Sequence, residues 1–106
     1  MQERIKILVI GSGGREHAIV KECLKSPLTS EVIVAPGNGG MSQDARCLPV
    51  DVSDPSAIAK LAKNEAVDFA IIGPEVPLCA GAVNQLEAED ITTFGPNKKA
   101  ARFEGS

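Results

Sequence analysis

Aromatic side chains are nearly absent from this 106-residue sequence, which has no tryptophan, no tyrosine and three phenylalanines, Phe69, Phe94 and Phe103. So few rings cannot build a platform on which unpaired nucleobases stack. Positive charge is also scarce. Eleven Lys and Arg against fourteen Asp and Glu leave a net charge of −3, which excludes the basic footprint for duplex DNA or an anionic membrane surface. The cysteines Cys23, Cys47 and Cys79 are odd in number, widely spaced and free of any Cys-x-x-Cys pair, so all three are read as small buried hydrophobic residues. No apolar run approaches the roughly 18 residues of a membrane helix. Met1-Gln2-Glu3-Arg4-Ile5-Lys6 leads straight into a strand-like run, without the apolar stretch and small-residue cleavage site of a secretory signal. A soluble, cytoplasmic protein is expected, with neither nucleic acid nor membrane as a partner.

What remains is ordinary globular usage, 43% hydrophobic and 24% charged, at a length that makes one domain spanning 1–106. Val- and Ile-rich runs alternate with segments of helical period, and that alternation predicts an α/β fold with βαβ units around a parallel sheet. Ile5–Ile10 is the first strand and ends abruptly in Gly11-Ser12-Gly13-Gly14. A helix follows from about Gly14 to Lys25, with Ala18, Ile19, Cys23 and Leu24 on its apolar face, until Ser26-Pro27 stops it. Glu31–Ala35 is a second strand running into Pro36-Gly37-Asn38-Gly39-Gly40, and Cys47–Val50 is a weak edge strand because Pro49 donates no ladder bond. Asp54 caps and Pro55 opens a helix to about Asn64 that buries Ile58, Leu61 and Ala62. Asp68–Ile72 is a fourth, nearly all-apolar strand that exits through Gly73-Pro74-Glu75-Val76-Pro77. A helix carrying Cys79, Val83 and Leu86, a short strand at Thr92–Phe94 and a last helix from near Asn97 complete the chain.

Right-handed crossovers put the carboxyl ends of all parallel strands on one edge. With strand order 3-2-1-4-5, a ligand site is expected where the order reverses, between Gly11–Gly14 and Gly73–Pro77. A Gly-Ser-Gly-Gly turn that opens a helix exposes unpartnered N–H groups at the positive end of the helix dipole, which suits phosphate. The same glycines also suit a plain tight turn. Arg15 is either a surface residue near Glu16 or a partner for an anion at a position where a cation opposes the dipole. Glu75, braced by Pro74 and Pro77, either caps the next helix or accepts bonds from sugar hydroxyls or an amine. Asn38 is a turn residue or a ligand-facing amide, and His17 is read as structural or solvent-facing rather than catalytic. No Ser/His/Asp or Cys/His set, metal-ligand cluster or Walker sequence is present, so no catalytic or metal-binding residue is assigned. A dinucleotide cofactor is disfavoured at two points. Glu16 stands where the fingerprint has its third glycine, and Pro36-Gly37-Asn38 follows the second strand where an acidic residue belongs.

Val9-Ile10-Gly11-Ser12-Gly13-Gly14-Arg15-Glu16-His17-Ala18, Pro36-Gly37-Asn38-Gly39-Gly40, Ile72-Gly73-Pro74-Glu75-Val76-Pro77-Leu78 with Gly81, and Phe94-Gly95-Pro96 with Ala100-Ala101 and Glu104-Gly105-Ser106 together resemble one family. It is the amino-terminal domain of phosphoribosylamine–glycine ligase, also called glycinamide ribonucleotide synthetase, of the ATP-grasp superfamily. The resemblance covers essentially the whole chain, although the segment from about Ser42 to Asn64 carries no distinctive motif. It implies a Rossmann-like, three-layer α/β/α pre-ATP-grasp domain with a mostly parallel sheet of about four or five strands. It also implies an enzyme of purine biosynthesis that joins 5-phosphoribosylamine to glycine through an acyl phosphate made from ATP. ATP and Mg²⁺ would then be cofactors of the full-length enzyme and none of this fragment, whose further partner is the ATP-grasp lobes of the same chain. The family pattern continues past Glu-Gly-Ser into those lobes, so the chain ending at Ser106 is expected to be a fragment, inactive alone. Carried over residue by residue, Gly11, Ser12, Gly13, Gly14 and Arg15 are phosphate-side candidates and Gly73, Pro74 and Glu75 sugar-side candidates. Pro36, Gly37 and Asn38 form a third wall. A dinucleotide-binding oxidoreductase module and a non-catalytic docking domain are the alternatives.

Overall fold

In a parallel sheet with helices on both faces, every strand is buried twice and reads as an unbroken apolar run. Ile7, Leu8, Val9 and Ile10 are such a run, at most 4% exposed. The computed structural model describes residues 5–73, 76 and 79–95. Its elements follow in the order β1 (Ile5–Gly11), α1 (Gly14–Leu24), β2 (Thr29–Pro36), a single 3-10 turn (Met41–Gln43), β3 (Arg46–Cys47), α2 (Pro55–Asn64), β4 (Phe69–Ile72), α3 (Cys79–Ala88) and β5 (Thr92–Phe94). The sheet has five strands in the order β3-β2-β1-β4-β5, and all four pairings are parallel. Both the α/β class and the strand order agree with the sequence reading.

Alternation of side chains across the strands divides the core into two layers. Leu8, Ile10, Ile33, Ala35, Ala70 and Ile72 pack against Ile58, Ala59 and Ala62 of α2 and Ala82 and Leu86 of α3. Ile7, Val9, Val32, Val34 and Ile71 face the other way, against Ile19, Val20 and Cys23 of α1 and Met41 of the 3-10 turn. Burial of this kind contributes about 1.5–3 kcal/mol for each large aliphatic side chain. Burial also pushes the Cys23 thiol up to about 11, with the neighbouring Glu22 charge acting in the same direction.

Local signals set the helix ends. The Asp54 carboxylate accepts from the Ser56 and Ala57 N–H groups at 3.1 and 3.2 Å, with Pro55 at the first helical position. Beyond α2 the Val67 N–H donates to Ala62 O at 3.2 Å and the Ala66 N–H to Lys63 O at 3.1 Å, while Ala66 adopts φ +54°. Those two bonds form a Schellman motif, and α3 ends in the same way through Ile91, Asp90 and a φ of +63° at Asp90.

Five expectations are corrected. β2 begins at Thr29, two residues before Glu31. β3 is confined to Arg46–Cys47, with Leu48 adding one bond to Val34 O at 3.0 Å before Pro49 ends donation. The buried stripe of α1 is Glu16, Ile19, Val20 and Cys23, whereas Ala18 and Leu24 are exposed. At about 100° per residue Ala18 lies on the side opposite Glu16, and a buried acid had no place in a stripe drawn from apolar residues. In α2, Ala59 is buried where Leu61 was expected, and Leu61 is half-buried. Cys47 is half-buried rather than buried, and the last helix from Asn97 lies outside the described residues.

Candidate functional site

Parallel pairing brings the strand exits together at one sheet edge. Gly11 stands opposite Pro36 in the β1–β2 register, and the Gly73 N–H donates to Ile10 O at 2.8 Å, so β4 leaves the sheet beside β1. The chain can turn so tightly after β1 and β2 because Gly11 and Gly37 adopt φ +144° and +70°, conformations that L side chains rarely take. A Cβ on Gly37 would also meet Cys47 Sγ at 2.6 Å and Val34 Cγ1 at 3.0 Å. The Ala35–Pro36 peptide is cis.

Two hydrogen bonds join the first two loops. The Gly37 N–H donates to Gly11 O at 3.0 Å, and Asn38 Nδ2 donates to Ser12 O at 2.6 Å. The Asn38 Oδ1 atom accepts from the Met41 N–H at 3.0 Å, and its carbonyl accepts from the Ser42 N–H at 3.1 Å. The Asn38 amide is therefore committed within the protein at both atoms, which favours the turn reading of this residue over the ligand-facing one.

At the start of α1, Gly13 is the N-cap in extended conformation and its N–H donates to Glu16 Oε1 at 2.9 Å. That bond is one half of a capping box, the half a glycine N-cap can make. The helix ladder opens with His17 N–H to Gly13 O at 3.1 Å. Of the five phosphate-side candidates, Gly11 is buried, Gly13 is half-buried with its N–H occupied, and Ser12, Gly14 and Arg15 are exposed. Among the described residues, nothing beyond its own turn of helix lies within 4 Å of where a Gly14 Cβ would sit, so those residues leave this side of the first turn of α1 open to an approaching ligand. Gly73 is buried at the exit of β4, while Pro74 and Glu75 lie outside the described residues.

Two features escaped the sequence reading, the burial of Glu16 and the partner of His17. Glu16 is wholly buried at the helix–strand junction, filling the position where a dinucleotide fingerprint has a glycine for close helix packing. Its spacing three residues after the N-cap was the available signal. His17 Nε2 lies 2.7 Å from Asp44 Oδ2, tying α1 to the segment after the 3-10 turn, a pairing across 27 residues with no local signature. This contact gives His17 a structural tie between the two segments. Among the described residues no group of three His, Cys, Asp or Glu could hold a metal ion, and no helix is long and apolar enough to cross a membrane.

The fold is shared widely. Saccharopine dehydrogenase (L-Glu forming) from Saccharomyces cerevisiae superposes with a TM-score of 0.69 over 92% of this chain and 23% of its own, at 16% identity. Phosphoribosylamine–glycine ligase from Thermotoga maritima superposes with a TM-score of 0.54 over 92% of this chain and 21% of its own, at 25% identity. Sequence is more discriminating. Phosphoribosylamine–glycine ligases from Agrobacterium fabrum and Xylella fastidiosa are each 49% identical, over 102 and 104 residues, and the chain spans 24% of their length. The family model described as phosphoribosylglycinamide synthetase, N domain, matches residues 5–104. A match along nearly the whole chain, both to the family model and to relatives at 49% identity, places this protein in the phosphoribosylglycinamide synthetase N-domain family.

Proposed function

We propose that the chain is the amino-terminal substrate-binding domain of an ATP-dependent ligase that joins 5-phosphoribosylamine to glycine in purine biosynthesis, in the cytoplasm. Relatives at 45–49% identity carry the name phosphoribosylamine–glycine ligase and extend to about four times this length. The observation that carries the assignment is the joining of the β1 and β2 exits at one edge by the 2.6 Å bond from Asn38 to Ser12, in a chain of this family. Phosphoribosylamine offers a phosphate, a ribose and an amine. The exposed Ser12 hydroxyl, the open first turn of α1 and the exposed Arg15 side chain suit the phosphate, because helix N-terminal N–H groups and a guanidinium both favour an anion. Pro36 and Gly37 wall the second side. Gly73, Pro74 and Glu75 are proposed for the ribose and amine, since a carboxylate accepts bonds from hydroxyls and ammonium groups.

ATP and Mg²⁺ belong, in this assignment, to ATP-grasp lobes of the longer chain. What this domain contributes is orientation: an amine held by its phosphate tail attacks an acyl group without a further search in solution, the effect that makes intramolecular reactions fast. Titration of ¹⁵N-labelled chain with ribose 5-phosphate tests the binding role. Resonances of Ser12, Gly14 and Arg15 are expected to shift progressively; a spectrum unchanged at millimolar ligand rejects the site.

A further inference from the structure

Glu16 is the only charged side chain wholly buried among the described residues, and nothing in the proposed phosphate site uses it. Its Oε1 accepts from the Gly13 N–H at 2.9 Å. At the other end of the same peptide unit, Ser12 O accepts from Asn38 Nδ2 at 2.6 Å. A trans peptide is a rigid plate whose C=O and N–H point in opposite directions. The two side chains therefore hold one plate by its opposite ends, and it cannot rotate without breaking a bond.

Both holders are themselves anchored. Asn38 Oδ1 accepts from the N–H of Met41, whose side chain is wholly buried in the α1-side core, and Glu16 lies in the buried stripe of α1. The plate is thus referenced to two separate elements, the helix after β1 and the turn after β2. We infer that Glu16 and Asn38 are positioning residues that lock the Ser12–Gly13 peptide, turning the Gly13 N–H inward and leaving the Ser12 hydroxyl and the Gly14 N–H to meet the phosphate. The assignment of those groups to a phosphate rests on the function proposed above; the lock itself does not.

Locking has two consequences. It sets which amides face the ligand, so Gly13, although central in the glycine loop, is not one of them. It also makes the loop preorganised, so that binding need not order it first. Glutamine offers the same carbonyl acceptor to the Gly13 N–H that glutamate does, alanine offers none, and aspartate at position 38 would place an acceptor against the Ser12 carbonyl.

Hydrogen exchange and ribose 5-phosphate titration of the ¹⁵N-labelled 106-residue chain test the lock, using Glu16→Gln, Glu16→Ala, Asn38→Ala and Asn38→Asp. Gly13 is expected to be protected in the parent and in Glu16→Gln, and about tenfold or more less protected in Glu16→Ala. Asn38→Ala and Asn38→Asp are expected to shift the Gly13 resonance and to weaken ribose 5-phosphate binding about tenfold, with Glu16→Gln binding like the parent. A Gly13 amide that exchanges freely in the parent overturns the lock, as does a Gly13 resonance that moves with ligand as far as Gly14. If Glu16→Ala does not fold, Glu16→Gln and Asn38→Ala decide: Gly13 protection lost in the former, or a Gly13 resonance unmoved in the latter, rejects the inference. If ribose 5-phosphate moves no resonance, the substrate assignment fails while Gly13 exchange still judges the lock.

Discussion

At the scale of single residues, two glycines two positions apart in sequence divide by what surrounds them. Gly37 sits at φ +70° with Cys47 Sγ and Val34 Cγ1 where a Cβ would go; around Gly39 no described residue beyond its chain neighbours comes within 4 Å of that point. Gly37→Ala is therefore expected to cost about 1–3 kcal/mol, from strain at positive φ and overpacking against β2 and β3. Gly39→Ala should fall within about 0.5 kcal/mol of the parent. Urea midpoints for the two variants, at unchanged m-value, check the contrast. From sequence both are simply glycines of one Pro-Gly-Asn-Gly-Gly loop, and nothing local separates them. The difference comes from β3, which packs its Cys47 under the loop after a return of ten residues.

Elements were the most legible level. Asp54-Pro55 announced the start of α2 because capping is decided by groups within three residues of each other, and the structure places both as expected. The far end of the same helix carried a weaker sign. Its Schellman motif puts Ala66 at φ +54°, where glycine is the usual occupant because it has no Cβ to clash with the backbone. Ala66→Gly is expected to raise stability by about 0.5–1 kcal/mol, the relief of left-handed strain exceeding the extra entropy of an unfolded glycine. A thermal or urea transition that moves downward would show that this entropy dominates. The α1 face was misjudged because periodicity counts apolar residues, and the turn-capping acid Glu16 lies in the centre of the buried stripe.

For the whole molecule, the edge opposite the loops is held by charge. Arg46 on β3 donates to Glu31 of β2 at 3.0 Å and to Glu65 beyond α2 at 2.6 Å, and Lys6 of β1 lies 3.4 and 3.5 Å from the same two carboxylates. Hydrogen bonding from the Arg46 guanidinium is the main reason that both carboxyls sit below their ordinary value of 4.5. A carboxyl with a lowered folded value binds its proton more readily in the unfolded chain. Its stabilising effect is present above that ordinary value and is lost as pH falls through the folded values. Arg46→Gln should flatten the acid side of the stability–pH curve and reduce its dependence on salt. Urea midpoints measured from neutral to acidic pH, at low and high salt, would reject the network's role if the two curves ran parallel.

By itself the sequence determined the class of fold, the order of elements and the positions of the glycine loops, because alternating apolar periods, caps and turn residues act over a few neighbouring positions. It also determined the family, through loop motifs that recur along the whole chain. Tertiary structure alone decided how those loops are joined. Asn38 meets Ser12 across 26 residues, His17 meets Asp44 across 27 and Arg46 meets Glu65 across 19. Those contacts exist because parallel β1, β2 and β3 bring their ends into register, a non-local pairing whose partners no short stretch of chain can specify.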